Sequence, residues 1–555
     1  SSSDAQTSRT RHLARSTVIV MVAFGLAKVI SLAQTFIIAR VFGVGAEWDA
    51  FVTANRIPEL IFTLIAGGAL AHAFIPIFSG YLAREDHAGG WRVASQVINF
   101  IFGVTFIASV IAYFAAPWLI ANFVAPGFTA EAQATTVGLM RVLLISTLIF
   151  SVSGIVMGIL QSFNHFLLPA VAPMMFDVGI LIGVLFFLPA FGVYGIAYGA
   201  VLGAALHLGV QIPGLIRFRA RWTPSLGLRN PVLWRVIRLM LPRVAGLGVF
   251  SVNFIVMNNI ASRLGTGSVS ALDWGWRLMQ IPQTLIGTAM GTVIFPTLAQ
   301  LSALGDENGK RANMTGALKF IMIGSIPSSL GLIFVGRPLI SLLEGGQFDA
   351  SASDLVYSTL QFFALGLIVH SVLEVIARSF YADGDTLTPL WAALGGAAIN
   401  LVLSFTLSGV TQAESALSAY GVIAATAPGF LAPRPDFGFV GGLALANSLG
   451  VMFEVVFLMF ILRKRWHGIN ENALATTTLK TLAASLVMTV AIVAVDLLWV
   501  ALDLEARGRM LLIVEIAVQV VVGILVFVGM AALLRMEELR ALLNLVLRRR
   551  SEAAA

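Results

Sequence analysis

Cysteine is absent from this chain of 555 residues, so the sequence contains no disulfide framework, no thiolate metal site and no thiol nucleophile. Charge is also scarce, because Asp, Glu, Lys and Arg make up only 11% of the residues, against roughly 25% in a water-soluble globular protein. Hydrophobic residues account for 58% of the chain. This balance excludes a soluble globular protein and predicts a polytopic membrane protein.

Sequence motifs of the common enzyme classes are missing as well. The chain has no Walker A, H-E-x-x-H or G-x-S-x-G motif, and its His and Asp residues do not cluster at metal-ligand spacing. We therefore expect neither enzyme activity nor a metal or cofactor, while coupling to the membrane potential or to an ion stays open. The acidic turn at 383–386 lacks EF-hand spacing, and we expect Asp385 or Thr386 to cap the next helix.

Fourteen apolar segments reach the length that a bilayer demands, about 20 residues for a helix. They run over 16–43, 48–80, 92–123, 131–161, 166–189, 192–216, 233–263, 268–302, 312–343, 352–381, 387–408, 437–462, 473–501 and 509–535. The sequence therefore predicts an all-α fold with about fourteen transmembrane helices.

Arginine and lysine collect in loops on one predicted side of the membrane. They crowd the loop at 217–243, the segment 463–465 and the final 548–550, whereas the opposite loops 124–130, 190–191 and 344–351 contain neither residue. The positive-inside rule then places both termini in the cytoplasm. We attribute the net charge of +7 to these loops rather than to nucleic-acid binding, and expect the basic N-terminus to lead into a first span rather than a removed signal peptide.

A polar stripe occurs twice in this apolar chain, about 220 residues apart. The first copy reads Asp49-x3-Thr53-x2-Arg56-Ile57-Pro58, and the second reads Asp273-x3-Arg277-x2-Gln280-Ile281-Pro282. At 3.6 residues per turn each copy lies on one narrow helix face. Charges inside a span are costly and mark a pathway or a binding site, so the duplication predicts a transporter built from two related halves.

We expect these faces to line a headgroup cavity, together with polar residues of the first span. The candidate substrate-binding residues are Lys28, Gln34, Asp49, Arg56, Thr63, Asp273, Arg277 and Gln280. Two other interpretations stay open. The stripes can serve internal pairing, such as Asp273 with Arg277 one turn later, and Lys28 can extend its ammonium group to the membrane surface. Glu374 and Asp177 remain candidates for coupling groups.

The repeat also sets the predicted domain layout. Gln161-Ser162-Phe163 at the end of span four matches Arg378-Ser379-Phe380 at the end of span ten. Spans one to six (16–216) and seven to twelve (233–462) then form two six-helix lobes related by a pseudo-two-fold axis along the membrane normal. The remaining parts are the N-terminus at 1–15, a basic linker at 217–232, a loop at 463–472, two further spans at 473–546 and a tail at 547–555. We expect 409–436 to be either a mobile outer loop or an interfacial or re-entrant helix.

Several short motifs, in this order, resemble the MurJ (MviN) family of bacterial lipid II flippases. They are Ala39-Arg40-Val41-Phe42-Gly43, Arg56-Ile57-Pro58, Ala73-Phe74-Ile75-Pro76, Arg277-Leu278-Met279-Gln280-Ile281-Pro282, Phe295-Pro296-Thr297-Leu298 and Phe380-Tyr381-Ala382 with Asp385-Thr386 and Thr388-Pro389. The resemblance implies the multidrug/oligosaccharidyl-lipid/polysaccharide exporter fold, with two lobes in a V around a cationic cavity. It also implies alternating access, and a groove on spans thirteen and fourteen for the undecaprenyl tail.

The resemblance further implies a multi-pass protein of the bacterial inner membrane that flips lipid II. Its expected partners are a lipid-linked pyrophosphate glycan, membrane lipids and cell-wall synthesis proteins, without nucleic acid. The chain departs from the family at the arginine positions of the cavity, where Lys28, Gln34 and Thr63 stand and only Arg277 is kept. Export of another undecaprenyl-linked glycan, multidrug/cation antiport and a non-transporting scaffold are the alternatives.

Overall fold

The computed structural model describes residues 29–65, 69–163, 165–408, 440–502 and 508–536. Within these ranges the chain is helical and has no strand. The helices are α1 (Val29–Phe42), α2 (Ala46–Ile65), α3 (Ala69–Ala83), α4 (His87–Val124), α5 (Ala130–Ser162), α6 (Leu167–Phe191), α7 (Tyr194–Arg217), α8 (Pro231–Ser262), α9 (Ser268–Ala303), α10 (Glu307–Ser341), α11 (Ala350–Ala382), α12 (Leu387–Leu407), α13 (Val440–Arg465), α14 (Glu471–Ala501) and α15 (Arg509–Leu533). Helices suit a bilayer because each satisfies its own backbone hydrogen bonds.

Twelve of the described helices are long and apolar enough to cross a membrane, and α1 and α3 supply shorter apolar segments. The predicted all-α membrane fold is confirmed, with the count of about fourteen as an approximation. The predicted boundaries are mostly within a few residues of the helix ends. The largest differences are at the starts of α4 and α10, which begin at His87 and Glu307 instead of 92 and 312. In both, an aspartate caps the helix: Asp86 accepts a hydrogen bond from Gly89 N–H at 2.8 Å, and Asp306 accepts one from Gly309 N–H at 2.8 Å. Lys28, the termini and the 409–436 segment lie outside the described residues.

Two of the described membrane helices have a π-helical turn shortly after a proline. Pro282 lies inside α9 and is followed by a π-helical turn at Thr284–Thr288, and Pro117 precedes the π-helical turn Leu119–Val124 that ends α4. Proline has no N–H to donate and crowds the turn before it, so it weakens the helix locally. Pro58, by contrast, lies inside α2 without such a turn.

The chain divides into two compact units, Ser1–Thr266 and Gly267–Ala555. In the first unit α5 packs against α2, α4 and α7, and α7 packs against α6. The α6–α7 contact is a backbone contact, since a Cβ added to Gly179 would lie 2.1 Å from the Cα of Gly203. Small residues such as these glycines let membrane helices approach each other closely. Helix α8 packs against α2 and α3 in this unit, and the lobe boundaries predicted from the repeat stay a prediction.

In the second unit α11 is the central helix. It packs against α9, α10 and α13, and α12 packs against α13. The last two helices, α14 and α15, pack against each other and against α10 through an apolar cluster that includes Val335, Met488 and Phe527. The two spans that lie outside the sequence repeat are therefore attached to the second unit through α10.

Candidate functional site

The stripe of the first unit lies on α2 and faces α8. Asp49 and Thr53 are buried, with 1% and 0% of their surface exposed. Thr53 exchanges hydrogen bonds with the side-chain amide of Asn258, whose Nδ2 donates to the Thr53 hydroxyl at 3.1 Å. Asn258 Nδ2 also donates to the Val124 carbonyl at 3.2 Å. This end of the stripe therefore connects α2, α4 and α8.

Arg56 continues the same face one turn further along α2. Its Nε donates to Asn258 Oδ1 at 3.4 Å, and its Cζ lies 5.5 Å from the ring centroid of Phe254. A looser ion pair of 3.8 Å joins Nη1 to Glu59, and the Arg56 side chain is 14% exposed. The guanidinium is thus held by a ring face and an amide inside its own unit. Thr63 and Gln34 are half-buried on α2 and α1.

The stripe of the second unit lies on α9 and is more open. Arg277 Nε donates to Asp273 Oδ2 at 2.7 Å, the arginine side chain is 54% exposed and the aspartate side chain is 10% exposed. Gln280 and Thr284 follow on this exposed face. The opposite face is packed, because Thr359 Oγ1 donates to the Ala271 carbonyl at 2.8 Å.

The structure thus brings Asp49, Thr53 and Arg56 together in one unit, and Asp273, Arg277 and Gln280 together in the other. Asn258, which bonds both Thr53 and Arg56, is the residue of this site that the sequence pattern does not single out. No local signal in α2 predicts this partner, because 205 residues separate Asn258 from Thr53. The predicted cavity that would combine the two stripes stays a prediction.

The α9 stripe continues beyond the residues that the sequence pattern singled out. Arg378 of α11 donates from Nη1 to the Thr292 hydroxyl at 3.2 Å and from Nη2 to Glu374 Oε2 at 3.1 Å. Glu374, predicted as a candidate coupling group, is therefore ion-paired within its own helix. The shared i,i+4 spacing of Asp273/Arg277 and Glu374/Arg378 is the signal that could have linked the two arginines.

Other polar residues within the spans make hydrogen bonds between helices. His370 lies 3.2 Å from Asn447 Oδ1 and joins α11 to α13, while His207 Nδ1 lies 2.6 Å from the Ser153 hydroxyl and joins α7 to α5. Among the described residues, no group of three or more His, Cys, Asp or Glu side chains could hold a metal ion. These contacts agree with structural roles for isolated intramembrane polar groups.

The turn between α11 and α12 is capped as the sequence predicts. Asp385 accepts hydrogen bonds from the Thr388 N–H at 3.0 Å and the Thr388 hydroxyl at 2.7 Å, and it pairs with Arg465. Partial burial alone would raise the pKa of Asp385, but the Thr388 hydrogen bonds and Arg465 together hold the pKa below the ordinary aspartate value. Asp385 thereby ties the start of α12 to the end of α13.

Comparison with known proteins places the fold and the family. Residues 38–506 match the family described as "Lipid II flippase MurJ". The lipid II flippase MurJ of Burkholderia cenocepacia is 31% identical over 381 residues, covering 67% of this chain and 73% of the relative. A probable lipid II flippase MurJ of Vibrio cholerae is 26% identical, covering 88% of this chain and 89% of the relative.

Solved structures agree with this family at the level of the fold. A lipid II flippase MurJ in an inward closed conformation superposes with a TM-score of 0.72 at 22% identity, over 93% of this chain and 98% of that one. An inward-facing multidrug resistance MATE transporter of the MOP superfamily has a TM-score of 0.65 at 14% identity, over 82% and 99%. The long sequence match, together with the relative at 31% identity, shows that the chain belongs to the lipid II flippase MurJ family.

Proposed function

We propose that this chain is a flippase that moves lipid II, the lipid-linked peptidoglycan precursor, from the cytoplasmic to the outer leaflet of the bacterial inner membrane by alternating access. Membership of the MurJ family and the lipid II flippase function of its named relatives support the proposal. The observation that carries it in this chain is the open face of α9, on which Arg277 is more than half exposed inside a membrane helix.

The energetics of Arg277 favour a site over simple pairing. A charged side chain at the bilayer centre costs at least about 2.5–3.5 kcal/mol. An exposed ion pair one helical turn apart returns only about 0.3–0.5 kcal/mol. Asp273 by itself therefore does not offset the cost of Arg277 in lipid, which favours an aqueous or anionic environment at the α9 face. A pyrophosphate headgroup provides the anion, and the planar guanidinium binds phosphate oxygens in bidentate fashion.

The first unit contributes differently to this proposal. Arg56 is mostly buried against Phe254 and Asn258, so it acts on an anion through its positive potential rather than by direct contact. Gln34 and Thr63 are half-buried, neutral and suited to hydrogen bonds with sugar or peptide groups. Lys28 would add a point charge, which lacks the forked geometry of an arginine.

The residues at the cavity positions support one alternative substrate for the same fold. The chain has Lys28, Gln34 and Thr63 at cavity positions where the family resemblance implies arginines, so another undecaprenyl-linked glycan is the second candidate substrate. Both termini are proposed to lie in the cytoplasm, as the loop charges predict. The tail groove on the last two spans, coupling to an ion or to the membrane potential, and contacts with cell-wall synthesis proteins are part of the proposal without a residue assigned to them.

Complementation of a strain depleted of its own lipid II flippase tests the proposal. The wild-type chain should restore growth, whereas Arg277→Ala and Lys28→Ala should reduce it at matched membrane levels. Arg229→Ala is the control, because Arg229 is an exposed arginine in the loop before α8. A correctly inserted wild-type chain that fails to restore growth would exclude lipid II and favour the second substrate. Rescue by every variant would contradict the proposed role of Arg277 and Lys28 as a cationic site.

A further inference from the structure

The guanidinium of Arg378 lies directly over Gly291 of α9. A Cβ added to Gly291 would lie 2.9 Å from both Cζ and Nε of Arg378, which is closer than real side chains approach. With glycine there, the guanidinium reaches the Thr292 hydroxyl at 3.2 Å and stays paired with Glu374 at 3.1 Å. Glycine at 291 therefore lets the guanidinium lie against α9 in this position, and a larger residue would require it to shift.

The arrangement repeats the one at Arg277. Each arginine has a carboxylate partner four residues earlier on its own helix, Asp273 for Arg277 and Glu374 for Arg378. Both arginine side chains are accessible, with 54% and 23% exposed. Fifteen residues of α9 separate Arg277 from Thr292, which is about 22 Å along the helix.

Polar residues connect these two ends of α9. Gln280, Thr284 and Thr288 lie between Arg277 and Thr292 at spacings of three or four residues, and Gln280, Thr284 and Thr292 are exposed. Residues three and four apart share a helix face. The second unit therefore presents one continuous polar track on α9, with an arginine at each end.

A purely structural role does not account for Arg378. The Arg378–Glu374 ion pair joins residues four apart on one helix and stays partly exposed, and pairs of this kind contribute little to stability. The sequence repeat gives an internal comparison as well, because Gln161 stands in the first half where Arg378 stands in the second, before the same Ser-Phe pair. The end of α5 is thus built without a charge at that place, so closing this helix end does not need an arginine.

We propose that Arg378 and Thr292 form a second anion-binding station, which holds the pyrophosphate of the lipid-linked substrate before it reaches Arg277. The forked guanidinium binds phosphate oxygens, and the Thr292 hydroxyl adds a donor. Glu374 is the internal counter-ion that keeps the arginine in place without substrate. With the termini in the cytoplasm, α9 and α11 run from the outer to the cytoplasmic side, so Arg378 is the station on the cytoplasmic side. The identity of the anion rests on the proposed function.

The test measures binding of undecaprenyl pyrophosphate to the purified full-length chain in detergent, by native mass spectrometry. Arg378→Gln, which installs the residue of the first half, should weaken binding by about tenfold or more, the loss expected for charge-assisted hydrogen bonds. Gly291→Ala should weaken it as well, because it displaces the guanidinium and keeps the charge. Arg337→Gln is the matched control, since Arg337 is an ion-paired arginine on α10 of the same unit and pairs with Asp354 near the start of α11, the end opposite Arg378. Binding of undecaprenol, which lacks phosphate, should not change in any variant.

If folded Arg378→Gln and Gly291→Ala proteins bound undecaprenyl pyrophosphate with wild-type affinity, the proposed anion-binding station at Arg378 and Thr292 would be wrong. Thermal unfolding identifies a misfolded variant, and if Arg378→Gln misfolds, Gly291→Ala decides alone. The proposed function is tested independently of this station. A wild-type chain that binds the pyrophosphate through Arg378 and does not rescue the depleted strain would exclude lipid II while leaving the station in place.

Discussion

Arg277 and Asp273 lie one turn apart on α9 and form a 2.7 Å ion pair in which the arginine is 54% exposed and the aspartate only 10%. The carboxylate is held toward the helix packing while the guanidinium points outward. An arrangement of this kind positions a cation for an incoming anion, and it lets the carboxylate take the guanidinium back when the anion leaves. The pair therefore suits a transporter, which must release what it binds.

Removing the carboxylate should separate binding from turnover. In Asp273→Asn, an anion no longer competes with an internal partner for Arg277, so we expect tighter binding of undecaprenyl pyrophosphate and slower transport. Native mass spectrometry measures the first and growth of the flippase-depleted strain measures the second. Glu344→Gln is the control, because Glu344 pairs with Arg337 away from the α9 track. Weaker binding in Asp273→Asn would show that the aspartate serves to orient the arginine instead.

The Asn258 amide should be a stability centre of the first unit. Asn258→Ala removes its contacts with Thr53, Arg56 and the Val124 carbonyl and leaves buried groups without a partner, so we expect a loss of about 1–3 kcal/mol in unfolding free energy. Thermal unfolding in detergent measures the effect. The neighbouring Asn259→Ala loses a single contact, the 2.6 Å hydrogen bond to the Phe123 carbonyl, and should cost less. Equal losses in the two variants would contradict this assignment.

The contact between α6 and α7 should not tolerate a methyl group. In Gly179→Ala the new Cβ would lie 2.1 Å from the Cα of Gly203, so the helices must separate, at a cost of about 1–3 kcal/mol or more. We expect a lower unfolding temperature and less folded protein in membranes. Gly103→Ala on α4 is the matched control, since nothing lies within 4 Å of its Cβ position. A normal unfolding temperature for Gly179→Ala would mean that the two backbones are not in contact.

The Asp385 turn should give a pH-dependent contribution to stability. Its folded pKa lies below the ordinary aspartate value of about 3.9, so the unfolded chain takes up a proton at higher pH than the folded one. The stabilisation is therefore fully present above about pH 4 and is lost as the pH falls below it. Asp385→Asn should lower the unfolding temperature at neutral pH, and the difference from wild type should shrink in acid.

Asp349 provides a comparison for the Asp385 measurement. The Ala352 N–H donates to its carboxylate at 2.7 Å and lowers its pKa. The unfolding temperatures of Asp349→Asn and wild type should therefore also approach each other as the pH falls. Hydrogen bonds lower the pKa of Asp349, which caps α11, whereas Asp385 is also paired with the cation of Arg465. Added salt should therefore weaken the Asp385 effect more than the Asp349 effect. A difference from wild type that does not change with pH would show that neither carboxylate titrates as assigned.

Most of the secondary structure follows from the sequence for a simple physical reason. A span must remove about 20 residues of backbone from water, and long apolar runs such as those of α5 and α14 leave no other element to form. Local chemistry also explains the Asp385 cap. The start of α10 differed because one capping side chain, Asp306, extended the helix beyond its apolar run.

The candidate site was predicted in part. The i,i+4 pair of Asp273 and Arg277 is local, so the α9 face follows from helix geometry alone. The partner of Arg56 was not predictable, because Asn258 and Phe254 lie some 200 residues further along the chain and only packing brings α8 to α2. The contact of Arg378 with Gly291 was not predictable for the same reason, since it requires α11 and α9 to be packed together.

By itself the sequence determined the membrane environment, the helices and the two polar stripes, because hydropathy and helical periodicity are properties of neighbouring residues. Only the tertiary structure decided that the two stripes differ. Packing buries Asp49 and Thr53, the latter against Asn258 of α8, whereas it leaves Arg277 and Gln280 exposed on α9. Burial depends on which helix lies alongside, and contacts between residues far apart in the chain set that neighbour.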